Sequence, residues 1–66
     1  MMRYEFYQQL AEYKERFPEL RQGQAVFNLA YNLGLTLELD PLTFRAIDPF
    51  YNDGNIESFL YEIGIV

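Results

Sequence analysis

Apolar residues recur at helical spacing in three separate stretches of this chain. Phe6, Leu10, Tyr13 and Phe17 fall at i, i+4, i+7 and i+11, which predicts a first helix over residues 4–17, with Pro18 biasing Phe17 out of helical angles and ending it. Val26, Leu29, Ala30 and Leu33 repeat the stripe over 24–33, and Gly34 stands where a left-handed cap would close the helix. Ile56, Phe59, Leu60 and Ile63 repeat it over 56–63, with Asn55 or Asp53 as the capping residue, Gly64 as the stop and Ile65-Val66 as an apolar tail. A free apolar tail is unusual unless it docks.

The intervening segments are less regular. Leu35-Thr36-Leu37-Glu38-Leu39 alternates with period two, which is a strand signal, but no second strand is evident to pair with it. The expectation is an extended connector that turns Leu35, Leu37 and Leu39 inward; the alternative is a sheet edge used for dimer pairing. Asp40-Pro41 is a helix start, an acid at the N-cap followed by proline at the first helical position. It opens a short helix over 41–46 that buries Leu42 and Phe44 or Ile47. Asp48-Pro49 repeats the signal and opens at most one turn, closed by Asn52-Asp53-Gly54.

These elements predict an all-α fold: one domain over residues 1–66, three to four helices, with the aromatic Asp48-Pro49-Phe50-Tyr51 turn packed across them. The expected core is Phe6, Leu10, Phe17, Val26, Leu29, Ala30, Leu33, Leu42, Ile47, Phe50, Ile56, Phe59, Leu60 and Ile63. A chain of 66 residues buries only about 60% of its unfolded surface, so its stability is expected to be modest. With neither cysteine nor histidine, it has no disulfide, no thiolate zinc site and no imidazole base, and six Phe and six Tyr must supply the packing instead.

Charge divides the chain. Residues 1–36 hold four acids and four bases; residues 37–66 hold six acids against Arg45 alone, which is the whole of the net charge of −5. An acidic half repels phosphate, so nucleic acid is not an expected partner, and a basic protein surface is. Solubility alone also accounts for a charge of this size. No apolar run approaches a membrane span, and Met1-Met2-Arg3-Tyr4-Glu5 lacks the apolar core of a secretory signal, so the expected location is the cytoplasm.

Candidate chemistry is sparse. Asp48 and Asp53 are the only carboxylates close in a turn, and capping explains both. Aligning Gly54 with the invariant glycine of an EF-hand places Pro49, Tyr51 and Leu60 where oxygen ligands belong, so calcium is excluded there. Four scattered glycines make no phosphate cradle. The reading is therefore a non-enzymatic protein-binding module with no cofactor and no metal. Two surfaces are candidates for the contact. Tyr51, Asn52 and Asp53 form a turn tip, unless Phe50 plugs the helix junction and Tyr51 merely covers it. Gln24, Asn28 and Asn32 form an uncharged polar stripe that is either simply solvated or a hydrogen-bonding ridge.

Gly23-Gln24-Ala25-Val26-Phe27-Asn28, then Asp48-Pro49-Phe50-Tyr51-Asn52-Asp53, then Ile56 and Phe59-Leu60, resemble a group of small proteins of bacteria, bacteriophages and other mobile elements. Their pattern runs GQxxFN, a variable middle, and DPFYxDxxIxxFL. The group has no assigned activity, so the resemblance implies an origin rather than a reaction. It marks Gly23, Gln24, Phe27, Asn28, Asp48, Pro49, Phe50 and Tyr51 as the pattern's positions, and the alternating leucines of 35–39 depart from the more polar middle expected. Asn28 or Gln24 is expected to hydrogen-bond the backbone of the 48–53 turn. The function expected is an adaptor or inhibitor of a host protein; the alternatives are a structural homo-oligomer sealed by Leu37, Leu39 and Ile65-Val66, and a small-ligand-binding accessory protein.

Overall fold

The computed structural model describes residues 1–65 and contains, among them, four α-helices and no strand: α1 (Arg3–Arg16), α2 (Gln22–Asn32), α3 (Pro41–Ile47) and α4 (Ile56–Glu62), with a single 3₁₀ turn, Asp53–Asn55, leading into α4. Val66 lies outside the described residues, and with it the last position of the expected oligomer seam.

The core is assembled from the predicted stripes. Phe6 and Leu10 of α1 meet Ala25, Val26, Leu29 and Ala30 of α2 and Phe59 and Leu60 of α4, all buried. Burying a side chain such as Phe or Leu stabilises by about 1.5–3 kcal/mol, so this small set is the chief source of stability. Four buried residues fall outside the expected core: Gly23, Ala25, Pro49 and Ile65.

Ile65 is placed by the way α4 stops. Gly64 takes φ +83°, its N–H donates to the Tyr61 carbonyl (3.2 Å), and the Ile65 N–H donates to the Leu60 carbonyl (2.9 Å). These are the two bonds of a Schellman cap, whose following apolar residue folds back on the helix. Of the apolar tail, Ile65 docks into this chain's own core. α2 ends the same way at Gly34 (φ +75°), with Gly34 N–H to Tyr31 and Leu35 N–H to Ala30, both 3.0 Å.

That cap also corrects the reading of residues 35–39. Residues 33–38 coil through successive turns and Leu39 N–H donates to the Thr36 carbonyl (3.2 Å), so the segment is not extended and the period-two alternation has no sheet to serve. Leu35 and Leu39 are half-buried, but Leu37 points outward and is 84% exposed. Leu33 is at the end of α2, beyond the buried face, and is exposed.

Leu42 is a third departure, 76% exposed rather than buried. α3 turns Phe44 and Ile47 inward, and at about 100° per residue Leu42 lies on the opposite side from Phe44. The start of α3 is as expected: Asp40 Oδ2 accepts from the N–H groups of Leu42 and Thr43, both at 3.1 Å, with Pro41 at the first position. No side chain of α3 is fully buried. The helix rides on an aromatic cluster instead. Phe27 of α2 is the hub, with ring centroids 5.5 Å from Phe44, 5.7 Å from Phe50 and 6.3 Å from Phe59, the first two edge-to-face.

Candidate functional site

The 48–55 segment is built from short polar bonds. Asp48 Oδ1 accepts from Phe50 N–H (2.9 Å), Asn52 N–H donates to the Pro49 carbonyl (3.2 Å), and Asn52 Oδ1 accepts from Gly54 N–H (2.9 Å). Asp48-Pro49 thus opens a β-turn and no helix. Capping of the last helical segment falls to Asn52 at the 3₁₀ turn, while the Asn55 amide reaches back to the Asp48 carbonyl (3.1 Å). The aspartate and asparagines fold the turn on itself, and its two aromatics then diverge. Phe50 turns in against Phe27, and Tyr51 turns out, 82% exposed, with its ring 4.8 Å from Phe50.

The turn is locked to the start of α2. Asp53 Oδ1 accepts from the Gly23 N–H at 3.0 Å, and the Arg21 guanidinium donates to the Phe50 carbonyl. The first N–H groups of a helix have no partner within it, and a carboxylate there also meets the positive end of the helix dipole. Asp53 is in effect a cap for α2 supplied from 30 residues away. The expected lock from Gln24 or Asn28 is replaced by this pair, because Gln24 Oε1 is turned to its own helix start, accepting from Arg21 N–H at 3.0 Å. Gly23 makes the approach possible. A methyl added there would overlap the Pro49 carbonyl oxygen and sit 2.5 Å from Asp53 Oδ1.

Between this turn and α3 is an open cleft of about 670 Å³. Leu39, Pro41, Phe44 and Tyr51 line it with apolar surface, and Arg45, Asp48, Asn52 and Asn55 add polar groups. Of the five residues proposed from sequence, the structure brings Tyr51 and Asn52 to this cleft. Asp53 faces α2, and Gln24 and Asn28 are half-buried on α2 and do not line the cleft. Sequence reasoning missed Phe44, Arg45 and Leu39 as partners of Tyr51. The single base among the acids of residues 37–66 was the one available signal.

A second cleft, of about 590 Å³, lies between α1, α3 and α4 and includes Arg3, Ile47, Glu57 and Tyr61. Arg3 and Glu57 pair across it at 2.7 Å, the one ion pair among the described residues. The hydrogen bond to Glu57, and then the attraction of the two charges, raises the Arg3 pKa above its ordinary value. Among the described residues no group of three His, Cys, Asp or Glu side chains could hold a metal ion, and no helix is long and apolar enough to cross a membrane. Comparison with protein-family models, curated proteins and solved structures gave no match.

Proposed function

We propose that this chain is a non-enzymatic protein-binding module that engages its partner through the cleft between α3 and the 48–55 turn. The observation that supports this best is Tyr51: a large side chain left in solvent on a turn that is otherwise tied down, beside an apolar wall. Tyrosine in such a place offers contact area at little entropic loss, as interface hot spots do. The absence of cysteine and histidine supports a non-enzymatic role. The resemblance of the Gly23–Asn28 and Asp48–Leu60 segments to bacteriophage and mobile-element proteins supports use as an adaptor or inhibitor of a host protein. Capture from bacterial lysate by wild type and by Tyr51→Ala tests it. A partner retained by wild type and lost by the variant is the expected result; no partner at any salt concentration counts against the module.

A homo-oligomer is the second reading, favoured by Leu37 and Leu42, both largely in solvent. Sedimentation at micromolar concentration decides it, since a clean monomer removes this reading.

A further inference from the structure

Resting on the protein-binding reading, we infer that the occupant of the cleft is a cationic segment of a partner protein, with one large apolar side chain seated between Phe44 and Tyr51 and lysines or arginines beside it. Shape and charge point the same way. The wall formed by Leu39, Pro41, Phe44 and Tyr51 selects an apolar anchor. Asp48 lines the cleft, and Glu38 and Asp40 flank the lining residues Leu39 and Pro41 along the chain, against Arg45 as the one base of residues 37–66. A surface of one sign raises the local concentration of oppositely charged partners and repels like ones. An acidic segment is disfavoured on that ground. So is a second copy of this chain, which brings the same net charge of −5. Nucleic acid would bring phosphates to the acids.

Arg45 gives the inference its sharpest test, because it lines the cleft and has the wrong sign for a cationic occupant. Among the described residues it forms no ion pair, so replacing it breaks no charge contact. Removing or reversing it must tighten binding, whereas an anchor role for Arg45 would make the same change weaken it.

The test uses the full chain to select from a displayed random-peptide library, with selected peptides then titrated by fluorescence anisotropy. The expected peptides are net positive with one aromatic or large aliphatic residue, and their affinity falls as salt rises. Arg45→Glu is expected to tighten them and Glu38→Lys to weaken them, each by about threefold or more. Tyr51→Ala is expected to weaken them about tenfold while far-ultraviolet circular dichroism shows the helices retained. Neutral or acidic peptides that still depend on Tyr51, or loss of affinity in Arg45→Glu, overturn the cationic occupant and leave the protein-binding module standing. Peptides indifferent to Tyr51→Ala, or none selected, overturn both.

Discussion

Replacing Gly23 with alanine sets two effects against each other. By propensity alone the change should help, since alanine is better than glycine within a helix by up to about 1 kcal/mol. The structure opposes it. The added methyl would meet the Pro49 carbonyl, held in a β-turn by Asn52 N–H, and a backbone oxygen cannot swing aside as a side chain can. The turn must retreat. Retreat breaks the bond from Gly23 N–H to the Asp53 carboxylate, worth about 1.5–3 kcal/mol. It also loosens the edge-to-face packing of Phe50 on Phe27, worth a further 0.5–1.5 kcal/mol or so. After the propensity gain, the net loss is about 1–3.5 kcal/mol. A domain of this size has about 3–10 kcal/mol in all, so this is a large share. The melting temperature should fall by about 5–25 °C. Thermal and urea unfolding followed by far-ultraviolet circular dichroism measures it. A Gly23→Ala protein as stable as wild type, or more so, would refute the close approach of turn and helix.

Asp53→Ala should lose about 1–2 kcal/mol as the remote cap is removed, and a double-mutant cycle with Gly23→Ala should show strong coupling, since both changes break one contact; additive losses would mean the two residues act separately. Ile65→Ala should lose about 2–4 kcal/mol in urea melts, because Ile65 is buried in the core; a loss under about 1 kcal/mol would mean the end of the chain is not docked. Leu37→Ser and Leu42→Ser should each change stability by less than about 0.5 kcal/mol, because both side chains stand in water. Larger losses would show that these leucines are covered in solution, as a homo-oligomer requires.

The helices were legible because each rests on local rules. Stripes of apolar residues, Asp40-Pro41, Gly34 and Gly64 locate α1 to α4 to within two residues at either end. Misreadings arose where local pattern and tertiary setting disagree. The leucines of 35–39 alternate as a strand would, but the Schellman cap at Gly34 coils the chain and turns Leu37 out. Leu42 lies on a helix too short to bury two faces. The candidate site was half legible. Tyr51 and Asn52 stand out because an aromatic in a polar turn is anomalous. Phe44 and Arg45 join them only through the path of the chain from α3 to the turn. Asp53 read as a cap for α4 or a contact at the turn tip because nothing local reveals that its carboxylate serves a helix 30 residues earlier.

That remote cap ties the start of α2 to a turn formed 30 residues later. The first turn of α2 is unfinished until residues 48–53 have closed over it, so the molecule has no natural seam at which one part could hold its shape without the other. A protease cut in the connector before the turn should therefore release two unstructured peptides rather than a trimmed domain, and unfolding should be a single concerted event.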